Sequence, residues 1–417
     1  MKHRHSTRAS AKAWSSLALT LSQLAIMGTS LVFSLSLAYS GGLAAVGSAA
    51  TAVLVFQLTC GVLQRSLAEA TLLASSSAER RAEPQDCRWS VTAALLGGLV
   101  GAGIAVLSTL AIPDATPAYA IAYAAGIPFA IALDIGRCAD VASGTARAAF
   151  IEAGAWLTSQ LGLMLLFAAI RSPTGVCLSW FAVNVAFVLA AGVREHRRPA
   201  LRGLARWIRS RRNLMGSASL DALLVGLTPV LALQVTAFFT TTATLGVIRV
   251  LQQVYAPLAF LSITLRRVLI YRRTADVPTT AQDLRDGLVA MALMVVGGIL
   301  LGLAAILGRF LFPPLAFIPA GTALVAAGIE KTALGLSFGC SLSRFIRGEF
   351  DVLLRARYIG LGIAIVTAPA ATVWWGATGY LASSAVAMVV YSFVVLALPA
   401  TARTVPVAVS ASTQRCQ

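Results

Sequence analysis

One arginine stands inside a long apolar stretch of this chain. Arg249 is flanked by Leu245-Gly246-Val247-Ile248 on one side and Val250-Leu251 on the other. In a helix it would lie about six residues, or roughly 9 Å, from the nearer end. Ionisable side chains at such depth are rare and mark ligand or ion pathways, and a guanidinium matches the geometry of phosphate. We therefore predict that Arg249 binds substrate, facing a cavity or an anionic ligand; the alternative is a side chain that snorkels to the interface.

A second group of charged residues stands where apolar segments end, on the side predicted below to be cytoplasmic. Its members are Asp134, Arg137, Asp140, Glu152, Asp221, Glu330 and Lys331. Acids and bases at one level can pair across the two halves of the chain and close an inner gate, or they can form ordinary local pairs at helix ends. The first two apolar segments contain no acid, which speaks against a carboxylate cation site in the first half.

The middle of the chain is rich in arginine. Residues 194–212 read REHRRPALRGLARWIRSRR, with Glu195 as the lone acid. On a helical wheel, leucines and isoleucine gather opposite a basic face, and that face holds Arg198, Arg202, Arg206 and Arg209. This pattern favours a helix lying in the membrane interface with its arginines on anionic inner-leaflet lipids. A basic linker without regular structure is the alternative.

Composition places the chain in a membrane. Of 417 residues, 58% are hydrophobic and 12% are charged, whereas soluble domains contain about 25% charged residues. The net charge is +17, but the basic residues stand between apolar segments, so we expect no nucleic-acid partner. Neither the six cysteines nor the three histidines have metal-ligand spacing. We predict no metal and no cofactor, and a coupling ion, H+ or Na+, stays open.

Hydrophobic length and the gaps between charges predict twelve membrane-spanning helices. They cover about 14–38, 41–64, 89–112, 116–138, 149–170, 174–193, 214–237, 243–265, 287–308, 314–338, 356–376 and 379–399, estimates from the thickness of a bilayer. The predicted organisation is an N-lobe of six spans at 1–193, an interfacial linker helix at 194–213, a C-lobe of six spans at 214–400 and a tail at 401–417.

Basic residues alternate between the connectors. The N-terminus and the connectors after even-numbered spans hold nearly all Arg and Lys, while the others hold only Arg171 and Arg309. The positive-inside rule then puts both termini in the cytoplasm. Span positions repeat with an offset of about 200 residues. Because each half has an even number of spans, the halves have the same orientation, with a pseudo-twofold axis along the membrane normal.

Three stretches carry a family resemblance: 42–73, ending in RSLAEATLL; 126–156, GIPFAIALDIGRCADVASGTARAAFIEAGAW; and 245–273, LGVIRVLQQVYAPLAFLSITLRRVLIYRR. With the six-plus-six layout, they resemble the polysaccharide flippases of the multidrug/oligosaccharidyl-lipid/polysaccharide (MOP) exporter superfamily. The resemblance implies an all-α, MATE-like fold of two bundles around a central cavity, in a bacterial cytoplasmic membrane. It also implies alternating access that moves a polyprenyl-diphosphate-linked glycan outward, with Arg249 meeting the diphosphate or an acidic sugar.

The sequence departs in two ways from the relatives that move the peptidoglycan precursor. Those relatives carry two more spans, and this chain lacks arginine in spans 1 and 2. A MATE-type cation-coupled drug antiporter is the main alternative, with Asp221 as its best ion-coupling acid. An integral-membrane glycan polymerase or glycosyltransferase is less favoured, because the predicted external connectors are short and carry few acids. A sugar–proton symporter is disfavoured too, because the stretch after span 2 lacks the expected signature. We expect a transporter and not an enzyme.

Overall fold

The computed structural model describes residues 2–68, 83–259, 280–312, 315–346 and 349–399. Within these ranges the chain is helical and contains no strand. The α-helices are α1 Lys2–Leu63, α2 Pro84–Leu110, α3 Pro117–Ala124, α4 Ile127–Ser143, α5 Ala146–Ala169, α6 Pro173–Ala191, α7 Leu204–Ala237, α8 Thr242–Val254, α9 Thr280–Leu311, α10 Thr322–Ile346 and α11 Phe350–Ala397. The predicted tail at 401–417 and most of the charged stretches 65–88 and 266–286 lie outside the described residues.

Helix α1 reverses direction at Gly42, where φ is 76° and ψ is 178°. Ser22 and Gln64 both donate a hydrogen bond to the carboxylate of Asp134. They are 42 residues apart and would be separated by about 63 Å in a straight helix. The two arms of α1 therefore run antiparallel and form two crossings, as the Gly41-Gly42 pair predicts.

Helix α11 reverses in the same way at Gly376, where φ is 57° and ψ is −141°. Thr367 Oγ1 lies 2.6 Å from Ser383 Oγ, although 16 residues of straight helix would span about 24 Å. Nearer the ends of the two arms, Leu353, Ala356, Tyr391 and Val395 share one buried cluster. Helix α11 therefore also contains two crossings.

With two crossings in each hairpin, the described helices account for eleven of the twelve predicted crossings. Nine helical segments in the described ranges are long and apolar enough to cross a membrane. The segments Leu17–Leu67 and Phe350–Ala397 contain two crossings each, which makes eleven. Helix α8 occupies the first part of predicted span 8, the twelfth, and residues 260–265 of that span lie outside the described residues. The predicted all-α membrane fold is confirmed.

Two compact units divide the chain, Met1–Gly226 and Leu227–Gln417, here called unit 1 and unit 2. In unit 1, Arg171 donates to the carbonyl of Tyr39 at 2.5 Å, and the backbone of Thr116 donates to Ser48 Oγ at 3.0 Å. The connectors after spans 1, 3 and 5 thus meet at one end. At the other end, called the basic end, Arg88 donates to the carbonyl of Arg198.

Each unit has its own packed interior. In unit 1 the rings of Phe33, Phe56, Tyr123, Trp156 and Trp180 form one buried aromatic cluster, in which Tyr123 and Trp180 are stacked with centroids 5.1 Å apart. In unit 2 the backbones of α9 and α10 touch where Gly287 meets Gly339. A Cβ added to Gly339 would lie 2.3 Å from the Cα of Gly287, so this close approach requires glycine.

The arginine-rich segment differs from the predicted helix over its first ten residues. Residues 194–203, here called the tether segment, contain only a 3-10 turn at Glu195–Arg197. Pro199 explains the break, because proline cannot donate in a helix and forces an extended conformation on Arg198 (φ −68°, ψ 126°). The helix begins instead at Leu204, after Gly203 with φ 87°, and it continues without interruption through predicted span 7.

Contacts with α2 hold the tether segment against the basic end of unit 1. Trp89 Nε1 donates to the carbonyl of Arg202 at 2.9 Å, and the backbone of Ala200 donates to Thr92 Oγ1 at 2.7 Å. Just beyond the segment, Trp207 Nε1 donates to Asp86 at 2.9 Å. The first part of the linker is therefore packed against unit 1 as part of its fold.

Candidate functional site

A cluster of buried charges, here called the basic-end cluster, joins α4, α5 and the tether segment. At its centre is Asp140, which is fully buried. Its Oδ2 accepts from Arg194 Nη1 at 2.5 Å and from Arg197 Nη2, while its Oδ1 lies 2.6 Å from His196 Nε2 and 3.0 Å from Arg197 Nε. One carboxylate at the end of α4 thus binds three residues of the tether segment.

Glu152 on α5 completes the cluster. Its Oε1 accepts from Arg197 Nη1 at 2.8 Å and from Arg137 Nε at 3.4 Å, and its Oε2 accepts from Arg194 Nη1 at 2.8 Å. Burial disfavours the charged form of Arg197, but the charge of Glu152 and the hydrogen bonds to Asp140 outweigh it and hold the pKa of this guanidinium above its ordinary value. A buried charge network of this kind is stable only when all its members are paired.

Asp134 extends the basic-end cluster toward the middle of unit 1. Its Oδ1 accepts from Ser22 at 3.1 Å and its Oδ2 from Gln64 at 2.5 Å, so it lies between the two arms of α1. Arg137 donates to Ser22 at 3.3 Å and lies 4.8 Å from the ring centroid of Trp156. Spans 1 and 2 contain no acid of their own, but α4 supplies one between them.

Asp221 belongs to unit 1 and is paired with Arg65. The Nη1 atom of Arg65 lies 2.7 Å from Asp221 Oδ2, and the Asp221 side chain is 4% exposed. Of the predicted gate residues, the structure brings Asp134, Arg137 and Glu152 into one network and gives Asp221 a separate ion pair. The contacts of Asp134, Arg137 and Glu152 stay within the predicted N-lobe and the tether segment, whereas Arg65 and Asp221 join predicted span 2 to predicted span 7. The inner-gate role of these residues stays a prediction.

Glu330 and Lys331 lie elsewhere and, together with Arg249, are called the unit-2 cluster. Glu330 Oε1 accepts from Ser384 at 3.0 Å and from Gln252 at 3.3 Å, and its Oε2 lies 3.2 Å from Lys331 Nζ. We expected Glu330 near the cytoplasmic end of its span. It lies eight residues, about 12 Å, from the opposite end of α10, because that helix begins at Thr322 and extends to Ile346.

Arg249 lies at a similar level in α8 and is 3% exposed. It stands seven residues, about 11 Å, from the start of that helix at Thr242. The buried phenol of Tyr380 is within electrostatic reach of both Arg249 and Glu330. The unit-2 cluster therefore places two cations and one carboxylate of the described residues at a depth where a bilayer offers little water.

The two clusters suit different chemistry. In the basic-end cluster, three carboxylates face three guanidiniums and are hydrogen-bonded to them or to neutral side chains. In the unit-2 cluster, the cations outnumber the acid, which suits recognition of an anion. Among the described residues, no group of three or more His, Cys, Asp or Glu side chains has the arrangement of a metal site.

Sequence reasoning missed the partners of several acids. The amphipathic pattern predicts a surface helix that includes Arg194, His196 and Arg197. The neutral residues Ser22, Gln64, Gln252 and Ser384 give no signal in the sequence. One signal was present: three acids at the ends of spans 4 and 5 needed compensating cations, and the nearest surplus of cations was the sequence REHRR at 194–198.

The arginines predicted to contact lipid, Arg198, Arg202, Arg206 and Arg209, are all exposed.

Solved structures share the architecture of the chain. A lipid II flippase, MurJ, in an inward-closed conformation has a TM-score of 0.64 at 12% identity, covering 92% of this chain and 86% of its own. An inward-facing multidrug-resistance MATE transporter of the MOP superfamily has a TM-score of 0.60 at 13% identity, covering 93% and 96%. A mutant of VcmN, a MATE transporter of Vibrio cholerae, has a TM-score of 0.54 at 14% identity, covering 93% and 96%.

No family model matches the sequence, and no curated protein matches it. At 12–14% identity, the structural similarity establishes the fold alone, which this chain shares with these MATE and MurJ structures.

Proposed function

We propose, on the premise of a MOP exporter fold, that this chain is a flippase that moves a polyprenyl-diphosphate-linked glycan across the cytoplasmic membrane for surface polysaccharide synthesis. It would act by alternating access, in which the binding region opens to one side of the membrane at a time. The fold is shared with a lipid II flippase and with MATE transporters, and both support a transporter over an enzyme. Both termini would lie in the cytoplasm, since the basic connectors fall on that side.

The observation that carries this proposal is the buried charge of the unit-2 cluster, in which two cations and one carboxylate lie on membrane-spanning helices. Arg249 and Lys331 are 3% and 9% exposed, with Glu330 as the nearby acid. Keeping a guanidinium in this environment costs free energy, so an arginine at this depth is a candidate for a functional residue. Its planar donors match the oxygens of a diphosphate, which is the group that every polyprenyl-diphosphate carrier presents.

Within this proposal the other residues of the unit-2 cluster set the charge around Arg249. Gln252 and Ser384 donate hydrogen bonds to the carboxylate of Glu330, and Lys331 forms an ion pair with it. That carboxylate would limit affinity, so that a diphosphate binds and is also released. Asp134, Arg137, Glu152 and Asp221 in unit 1 would then serve as inner-gate charges, a role supported by their burial at the basic end.

The test is export of glycan by Arg249 variants in a host that lacks the chromosomal gene. Arg249→Ala should reduce surface glycan at least tenfold while the protein still inserts, because the diphosphate loses its main donor. Arg249→Lys should retain part of the activity, because the charge remains but the planar pair of donors does not.

Arg171→Ala is the matched control, since this exposed arginine contacts only Tyr39 among the described residues and should leave surface glycan unchanged. Unchanged surface glycan in Arg249→Ala at normal membrane abundance would remove the proposal.

A cation-coupled drug antiporter of the same fold is the second candidate. Two buried carboxylates favour it: Glu330 in unit 2 and Asp134 between the arms of α1. Carboxylates within a membrane can exchange ions with both compartments. If this candidate is correct, Glu330→Gln should abolish ion-driven drug extrusion in proteoliposomes, and Arg249→Ala should leave it intact.

A further inference from the structure

A groove opens between α5 and α6 at the basic end of unit 1. Its volume is about 330 Å³, and its walls are the apolar side chains of Ala148, Ile151, Phe187, Ala190 and Ala191. Ligand pockets for small molecules begin at about this volume. Because the walls are apolar and the groove lies on membrane-spanning helices, an occupant needs at least one hydrocarbon chain.

The floor of the groove is polar and belongs to Glu152 and Arg194. Glu152 is already saturated, since both of its oxygens accept from guanidiniums of Arg137, Arg194 and Arg197. Arg194 is different: its side chain is 31% exposed, and its contacts with Asp140 and Glu152 both use Nη1. Within the described part of the chain, its Nη2 and Nε donors stay open to a ligand.

Two more arginines stand close in sequence or by contact to the residues of the groove wall. Arg147, next to the wall residue Ala148, is exposed. Arg198 is exposed as well, and its Nε donates to the carbonyl of Gly192, one residue beyond the wall residue Ala191. The tether segment offers a single exposed acid here, Glu195. Arg198 is thus a second exposed arginine whose side chain contacts the chain close to the groove wall.

We infer that the groove binds an anionic phospholipid of the membrane. One acyl chain lies between α5 and α6, and the phosphate accepts hydrogen bonds from Arg194. The combination of apolar walls and an open guanidinium selects this ligand: a free anion leaves the walls empty, and a neutral hydrocarbon leaves the donors unpaired. The inference does not depend on the transported substrate.

Occupancy of this site would strengthen the basic-end cluster. Arg194 contacts Asp140 and Glu152 with one nitrogen and would contact the lipid phosphate with the others. The bound lipid would thus become a further partner of the tether segment, and it would stabilise the folded protein in proportion to its occupancy.

The test uses the purified full chain, delipidated in mild detergent, with phosphatidylglycerol, phosphatidylcholine and inorganic phosphate as separate probes. Native mass spectrometry should show one retained phosphatidylglycerol, bound at least tenfold more tightly than phosphatidylcholine. Ala190→Trp fills the groove without touching the charges and should lower phosphatidylglycerol binding at least tenfold. Leu189→Trp is the matched control, because Leu189 is 72% exposed and is not part of the groove.

Arg194→Gln should remove the preference for phosphatidylglycerol over phosphatidylcholine, even if its unfolding temperature falls. Three outcomes would overturn the inference: Ala190→Trp binds phosphatidylglycerol as the parent does, phosphatidylcholine binds equally well, or inorganic phosphate alone displaces the lipid fully. The last result would identify a simple anion site at Arg194 and leave no role for the apolar groove.

Discussion

The basic-end cluster and the unit-2 cluster both bury charge in a membrane protein, yet they do so in opposite ways. In the first, Asp140 and Glu152 are covered by guanidiniums from another segment of the same unit. In the second, Arg249 and Lys331 share the interior with one acid, Glu330. A network with a cation for each acid ties elements together, whereas the unit-2 cluster is where we propose that an anionic ligand binds. The contrast predicts a structural role for the basic-end cluster and a binding role for the unit-2 cluster.

The largest effect should come from removing the central acid of the basic-end cluster. Asp140→Asn leaves Arg194 and Arg197 without their strongest acceptor, so we expect a loss of about 3–5 kcal/mol, typical of a broken buried ion pair. Glu330→Gln should cost only about 1–2 kcal/mol, because an amide still accepts from Ser384. Unfolding can be followed in detergent with a thiol-reactive dye, since five described cysteines are buried.

Asp114→Asn is the control for this pair, since Asp114 is exposed and should lose no more than about 0.5 kcal/mol. If Glu330→Gln destabilised the protein as much as Asp140→Asn does, the two clusters would be equally structural and the contrast between them would fail.

An intermediate effect is expected at the two helix reversals, where the units should behave alike. Gly42 and Gly376 both have positive φ, and a Cβ on either would meet no atom within 4 Å. Alanine at each position should therefore cost only the backbone strain, about 1–3 kcal/mol. Gly362→Ala is the control, because Gly362 lies inside helix α11 with the same open space and should gain slightly. Stability within error of the parent in Gly42→Ala would show that the reversal tolerates a side chain.

The smallest effect is expected where arginines face outward from the helix that follows the tether segment. Arg206 and Arg209 are exposed, so replacing both with alanine should change the free energy of unfolding in detergent by about 0.5 kcal/mol or less. In nanodiscs of anionic lipid, the same double variant should lose about 1 kcal/mol of unfolding free energy per arginine more than it loses in detergent. A loss in detergent above about 1 kcal/mol would mean that these side chains pair within the protein.

The number of crossings could be predicted from the sequence, because the bilayer thickness fixes the length of each apolar span and excludes the charged connectors between spans. The two reversals could also be predicted, because each uncharged stretch is long enough for two crossings. A Gly-Gly pair at 41–42 marks the first break, and the second falls near residue 376. The depth of Glu330 could not be read, since hydropathy does not fix where α10 begins. The predicted span began at about 314, whereas the helix begins at Thr322.

The convergence of side chains also escaped prediction. Ser22 and Gln64 meet Asp134 because α1 folds back on itself at a particular rotation, and hydrophobic pattern says little about rotation in helices that are apolar on all sides. Pro199 stands inside the basic amphipathic stretch 194–212, and the charge pattern of that stretch by itself predicts a helix through the proline. The structure shows that the proline decides where the helix starts.

The pairing of Asp140 with Arg197 sets an order of events during synthesis. The acid leaves the ribosome 57 residues before its partner, a delay of about 3–11 s at 5–20 residues per second. Until then the acids of α4 and α5 must stay hydrated or be shielded by the insertion machinery. Nascent chains that stop short of residue 197 should therefore lack part of this network, whereas chains that extend beyond residue 203 already carry every charged group of the basic-end cluster.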